Sequence, residues 1–283
     1  MKKLFTNVSQ IVTCSTNGKN FKRGKELSEL EVLENHSIFC ENGIILDILP
    51  NYSNSKIKFD EKVDLHGKVI LPGLIDCHTH TAFAGSRANE FKEKIAGVGY
   101  EEIAKKGGGI NTTVTAVRNS SLIDLVELMK PRVQEFIAQG VTTLEIKSGY
   151  GLDFENEKKL LHAIKVINET FAINIVSTFL GAHTFPPEFK DNHSGYVELI
   201  IDEMIPHIAK NNLAEFCDGF CESTAFNSDE IDQIFIAASN SGLKLKLHTE
   251  QFNNVGGLDI ALKHNAISVD HLEVLLEKDF HKF

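Results

Sequence analysis

The stretch LPGLIDCHTHTAF, residues 71–83, follows an apolar run that begins at Val69 and sets His78 and His80 two positions apart. In an extended strand, residues i and i+2 point to the same face, so both imidazoles can aim at one point. That arrangement suits a divalent metal, because neutral imidazole is a common ligand and a hydrolytic ion wants about three protein ligands with one position left for water. A histidine pair of this kind is a short motif that structural histidines share. Its meaning depends on what the rest of the chain brings to the same place.

From about residue 67 onward, buried-type strands alternate with long stretches of helical period. The candidate strands are KVILPGLIDCHTH (68–80), GVTTLEIKSGYG (140–151), INIVSTFLGAH (173–183), FCDGFCE (216–222), GLKLKLHTEQ (242–251) and ISVDHLE (267–273). Between them, SLIDLVELMKPRVQEFIAQG, FENEKKLLHAIKVINETF, SGYVELIIDEMIPHIAKNN, SDEIDQIFIAASNSG and VGGLDIALKHN carry apolar residues near i, i+3, i+4 and i+7, and several end on Gly or Asn. Such alternation predicts a parallel α/β fold, either a doubly wound sheet or a (β/α)8 barrel.

Polar residues decide between the two. Five of the six strands carry them at the C-terminal end: His78 and His80; Glu145 with Lys147 and Tyr150; His183; His248 with Gln251; and His271. Barrel enzymes build their sites on that rim from several strands, whereas a doubly wound sheet concentrates its site at one switch point. The sequence therefore predicts a (β/α)8 TIM-type barrel over residues 67–283, with the first six β/α units present. His248 and His271, at the ends of two further strands, raise the histidine pair to a candidate metal site.

Residues 1–66 read differently. Short apolar runs such as SIFCENGIILDIL and KIKFDEKVDL, broken by the turn-forming clusters TNGKN and NYSNSK, predict a small N-terminal β-sandwich-like domain.

The chain has 283 residues, 42% hydrophobic and 24% charged, which is enough for a sizeable core. Its formal net charge of -10 argues against nucleic acid or an anionic membrane as partner, since both need an excess of Lys and Arg. A small-molecule substrate is the expectation. No apolar run is long enough for a signal-peptide core or a membrane span, so a cytoplasmic location is expected. The five cysteines form no CxxC pair and are expected to be buried, reduced thiols. GVGYEE at 97–102 has only two glycines of a dinucleotide fingerprint, KKGGGI at 105–110 reads as a loop, and there is no GxSxG elbow.

The histidine pair after PGLID, with histidines ending the fifth and sixth strands, resembles the metal-dependent amidohydrolase superfamily. The segments HTHTAFAGSRANEF, GGGINTTVTAVR, GVTTLEIKSGYGLD, TFLGAHTFPPE and DHLE narrow the likeness to the imidazolonepropionase family. This resemblance covers about residues 40–273. It implies hydrolysis of the cyclic amide of 4-imidazolone-5-propanoate to N-formimidoyl-L-glutamate in histidine degradation, with one zinc or iron ion as cofactor. It further implies His78, His80 and His248 as metal ligands, Arg87, Tyr150, His183 and Gln251 as substrate-binding residues, and a homodimer for the full-length enzyme. His271, beside the metal, would orient the nucleophile or stabilise the developing oxyanion.

The family pattern also includes an aspartate ending an eighth strand, whereas this sequence ends at LLEKDFHKF, soon after the sixth. Neither Asp270 nor Asp279 ends an eighth strand. From this the chain is expected to be a C-terminally incomplete barrel whose first and sixth strands have unpaired edges, poorly soluble and inactive by itself. Two alternatives stay open: a related amidohydrolase acting on another cyclic amide or ureide, and an inactive remnant that needs a second polypeptide.

Overall fold

The computed structural model describes residues 1–19, 21–97 and 108–282. Most of GVGYEE and KKGGGI lies outside the described residues. The chain divides into two compact units, Met1–Gly73 and Leu74–Phe283.

The first unit holds β1 (Lys2–Thr6), β2 (Gln10–Val12), β3 (Val32–Leu33), β4 (His36–Glu41), β5 (Ile44–Pro50), β6 (Glu61–Asp64) and β7 (Val69–Ile70). They form a four-stranded sheet in the order β5-β4-β1-β6 and a three-stranded sheet in the order β3-β2-β7. The β4–β5 hairpin turns on Asn42-Gly43 with φ of 52° and 86°. Two consecutive positive φ values match the right-handed twist of the strands they join, which is why Asn-Gly is favoured there. Ile11 of β2 and Ile38 of β4 belong to one buried cluster with Val8, so the two sheets share a small core.

The first unit ends later than the sequence predicts. Val69–Ile70 pairs with Gln10–Ile11 in the small sheet, whereas the apolar run KVILPGLID reads as a single strand of the barrel. Pro72 and Gly73 divide that run. Proline has no N–H to donate to a ladder and glycine weakens a strand interior, so a strand is readily interrupted there.

The second unit is a parallel sheet of β8 (Leu74–Asp76), β9 (Val141–Lys147), β10 (Asn174–Ala182), β11 (Phe216–Cys221), β12 (Lys244–Thr249) and β13 (Ser268–His271), paired in chain order. That is the order in which a (β/α)8 barrel is laid down. The sheet is curled: Lys246 on β12 donates from Nζ to the Cys77 carbonyl, just past β8, at 2.9 Å. Among the described residues β8 and β13 are the outer strands of this sheet. On β8, Leu74 and Ile75 are 51% and 69% exposed.

Among the described residues its α-helices are α1 (Ala88–Ile95), α2 (Ile110–Asn119), α3 (Leu122–Ala138), α4 (Phe154–Thr170), α5 (His193–Glu198), α6 (Ile205–Lys210), α7 (Ser228–Asn240) and α8 (Gly257–Lys263). Reciprocal capping boxes, Ser121 with Asp124 and Asn227 with Glu230, satisfy backbone N–H groups at the starts of α3 and α7. Where the sequence predicts one helix over SGYVELIIDEMIPHIAKNN, a π-helical turn (Leu199–Met204) separates α5 from α6. Pro206 supplies the reason, because it lacks an N–H for the carbonyl four residues earlier and its ring crowds that turn. No described helix is long and apolar enough to cross a membrane.

Only two of the five cysteines are buried. Cys217 and Cys221 on β11 are enclosed, Cys40 is half-buried, and Cys14 and Cys77 are exposed, contrary to the expectation of buried thiols throughout. Burial pushes the Cys217 thiol far up, and burial followed by Glu222 and other nearby carboxylates pushes Cys221 up to about 12. Thiolate is the reactive form. Alkylation at pH 8 followed by peptide mass spectrometry is therefore expected to label Cys14 and Cys77 and to spare Cys217 and Cys221 until the protein is unfolded; early labelling of Cys217 would contradict this packing.

Candidate metal and substrate site

His78 and His80 lie beyond the last residue of β8, so strand alternation alone does not align them. Thr79, between them, is fastened to the neighbouring strand. Its carbonyl accepts from the Lys147 N–H at 3.1 Å, and its hydroxyl donates to the Glu145 carbonyl at 2.6 Å. The two flanking histidines then lie with their rings 5.4 Å apart.

His248, from the end of β12, has its ring 4.6 Å from that of His78 and 5.6 Å from that of His80. One nitrogen of each of the three lies within 4.8 Å of the others, a group that can hold a metal ion. His271 sits beside them, 5.4 Å from His248 and 5.7 Å from His78 between ring centroids. His271 and the residue after it, Leu272, have φ of 80° and 66°. Left-handed backbone at a non-glycine residue costs on the order of 1–3 kcal/mol and persists where the surroundings enforce it.

Beneath the histidines lies a network of charges that the sequence does not reveal as a unit. Lys147 is 0% exposed and donates to Glu145 at 2.9 Å and to Asp218 at 2.8 Å. Lys246 approaches Glu145 at 3.1 Å, and Thr178 donates to the same carboxylate at 2.6 Å. Burial works against the Lys147 charge, yet Asp218 and Glu145 hold its pKa above the ordinary lysine value. Burial likewise opposes ionisation of Asp218, but His248 and Lys147 keep it far below the usual carboxylate range.

Asp218 also accepts from His248 Nδ1 at 3.1 Å. With the proton on Nδ1, the other nitrogen carries a lone pair, and His248 Nε2 is buried with no hydrogen-bond partner. His80 Nδ1 is in the same position. Burial, then His183 and His248, depress the His80 pKa well below its ordinary value, so the ring stays neutral. Buried imidazole nitrogens with no hydrogen-bond partner, as on His80 and His248, are the donors a divalent cation takes.

Asp270, which the sequence sets aside because it ends no eighth strand, is part of this cluster. It lies beside His248 in the β12–β13 register, and its Oδ2 is 3.2 Å from His78 Nδ1. Asp218, His248 and Asp270 form a second group with ligand atoms within 4.8 Å. Asp279 instead pairs with Lys282 at 2.9 Å.

The residues expected to bind substrate fall into two sets. His183 stacks on His80 at 5.3 Å and 20°, and Tyr150 lies 5.3 Å from His183 and 5.8 Å from His80. Tyr150, His80 and Arg87 line one cavity of about 520 Å³. Arg87 is engaged there, its Nε donating to Glu90 at 2.9 Å. Gln251 is not among the residues lining that cavity; it sits in the loop after β12, whose Phe252 and Asn253 N–H groups donate to Glu222. His183 donates from Nδ1 to the Gly149 carbonyl at 2.8 Å, and burial, then His248, lowers its pKa to about 4. Arg132, which sequence reading misses, also lines the cavity, lying 3.6 Å over the Phe83 ring and donating to the Thr81 and Phe83 carbonyls. Its place in the middle of an amphipathic helix gives no signal of that role.

A scan against protein-family models returns no match. Searches of individual proteins do. The chain is 40% identical over 276 residues to an imidazolonepropionase of Flavobacterium johnsoniae, covering 98% of this chain and 67% of the relative. The chain belongs to the imidazolonepropionase family. An imidazolonepropionase of Caulobacter vibrioides is 44% identical over 246 residues, and one of Shewanella sp. strain ANA-3 is 49% identical over 211. These alignments cover 87% and 75% of the chain but 61% and 52% of the relatives, so the chain spans about three-fifths of the length of the Caulobacter protein. Among solved structures, A. niger ochratoxinase matches with a TM-score of 0.62 at 14% identity, over 98% of this chain and 61% of that one. A 5-methylcytosine deaminase from Klebsiella pneumoniae matches with 0.57 at 14%, over 93% and 55%. At such identity these likenesses speak to the fold.

A ligand role for His248 can be separated experimentally from a neighbouring role for His271. Replacing His248 with alanine is expected to abolish stoichiometric metal in folded, dialysed protein measured by plasma mass spectrometry, while His271→Ala retains it. Equal metal content in both variants would contradict the assignment of His248 as a ligand.

Proposed function

We propose that this protein hydrolyses 4-imidazolone-5-propanoate to N-formimidoyl-L-glutamate, adding water across the ring carbonyl and breaking the cyclic amide C–N bond. The observation that carries the reading is the convergence of His78, His80 and His248, with His183 and Tyr150, beside a cavity lined by Arg87, in a chain of the imidazolonepropionase family.

His78, His80 and His248 would hold the ion. When bound, a zinc or iron ion supplies Lewis acidity at the ring carbonyl and makes water nucleophilic near neutral pH. The remaining work falls to side chains. Arg87 would grip the propanoate carboxylate through its terminal nitrogens, because Glu90 takes the Nε edge. Tyr150 and His183 would meet the polar edges of the ring, whereas a contact from Gln251, which lies outside the cavity lining, rests on the family resemblance alone. His183, neutral and with Nδ1 committed to the Gly149 carbonyl, would offer Nε2 as an acceptor. His271 would orient the attacking water and accept its proton, its strained backbone being the kind of outlier that accompanies a functional side chain. A cavity of about 520 Å³ is of the size that encloses a small ring acid. The same family resemblance supports a cytoplasmic homodimer.

The test is turnover by the protein expressed from its complete reading frame and loaded with zinc or iron. Formation of N-formimidoyl-L-glutamate from 4-imidazolone-5-propanoate is expected, and none from folded, metal-loaded protein would refute the proposal. Arg87→Met is expected to raise KM about 10- to 100-fold, the equivalent of losing one charge-assisted contact.

A further inference from the structure

We propose that Glu157 is a positioning residue for substrate recognition: it holds the loop 148–152 that carries Tyr150 and supplies the carbonyl fixing His183. The inference rests on the substrate-binding roles proposed above for Tyr150 and His183.

Glu157 lies in the first turn of α4 and is 0% exposed. Its carboxylate receives three backbone N–H groups of the loop: Gly149 at 3.0 Å, Gly151 at 2.7 Å and Leu152 at 3.0 Å. Closely spaced backbone N–H groups form a concave anion-binding nest. Here the anion is a side chain of the same fold, near a helix N-terminus that favours negative charge.

The carbonyls of the same loop are held by a cation. Arg118 on α2 donates from Nε to the Gly151 carbonyl at 2.8 Å and from Nη2 to the Leu152 carbonyl at 3.1 Å. The Gly151–Leu152 peptide unit is thus held by Glu157 at its N–H and by Arg118 at its carbonyl, and the Tyr150–Gly151 unit just before it is held by Glu157 at its N–H. Gly149 is needed in this geometry: its φ is +100°, and a Cβ there would stand 2.8 Å from the Leu180 carbonyl oxygen. The Gly149 carbonyl then faces His183 Nδ1 at 2.8 Å, which fixes that ring's tautomer. One buried carboxylate therefore sets both the phenol and the imidazole that flank His80. A structural role alone would demand no such coupling, since an apolar side chain in α4 could pack the helix.

The decisive variant is Glu157→Gln, which removes the charge and, with its oxygen kept on Gly151 and Leu152, turns its NH2 toward the Gly149 N–H that Oε2 accepts in the parent. In the protein expressed from its complete reading frame, it is expected to raise KM about 10-fold or more, the loss of one hydrogen bond to a charged group, with a smaller change in kcat and unchanged metal content. Imidazole 15N NMR is expected to show His183 as the Nδ1–H tautomer in the parent and as a tautomer mixture in the variant. Unchanged KM and an unchanged His183 tautomer in folded Glu157→Gln would overturn the proposal. Should the variant not fold, amide exchange in the parent decides: Gly149, Gly151 and Leu152 are expected to exchange as slowly as β9, and open-loop rates would overturn it. If the parent itself fails to open the imidazolone, the proposed reaction falls, while the tautomer and exchange measurements still judge Glu157.

Discussion

The contact on which the site depends is the ion pair between Lys147 and Asp218, 2.8 Å apart with both side chains fully buried. Removing two charges from water costs several kcal/mol per ion, and their attraction repays it only when the geometry is good and the remaining donors and acceptors are met. Here they are. Lys147 also donates to Glu145, and Asp218 also accepts from His248 and from the Gly219 N–H. Each partner then fixes something else: Glu145 holds Thr178 and Lys246, and Asp218 sets the tautomer of a candidate ligand. Two lysines (Lys147, Lys246) face three carboxylates (Glu145, Asp218, Asp270), so one negative charge is left over beside the histidines. A bound cation is the natural complement of that excess.

The rim repeats the same physics with backbone in place of lysine. Glu157 gathers the N–H groups of loop 148–152, and Glu222 gathers those of Ser223, Phe252 and Asn253 around the loop that bears Gln251. Loops over a barrel have few ladder bonds of their own, and buried N–H groups must be satisfied. A carboxylate from the scaffold meets that requirement and fixes where the adjoining side chain stands.

Much of this is legible in the sequence. Apolar strands alternating with amphipathic helices give the parallel sheet in its observed order, and His78, His80, His248 and His271 are found from their places after strands. Other features depend on facts that a linear pattern does not carry. KVILPGLID is a continuous apolar run, and only pairing of Val69–Ile70 with Gln10–Ile11 reveals that its first half belongs to the small sheet. Asp270 gains its meaning from register against His248, and Asp218 from a lysine 71 positions away in the chain. The traces were present: Lys147, Asp218 and Lys246 are charged residues inside otherwise apolar strands, and a buried strand tolerates charge only where a partner meets it. Glu157 left a fainter trace, since an acidic residue in a first helical turn is common on surfaces as well.

The account stands on the interior charges acting as one coupled unit, and a double-mutant cycle measures that directly. Equilibrium unfolding would be compared for the parent, Lys147→Met, Asp218→Leu and the double variant. If the charges are coupled, each single change strands its partner and costs about 3 kcal/mol or more, while the double variant costs at least ~2 kcal/mol less than the sum of the two. Additivity within about 0.5 kcal/mol would contradict the account.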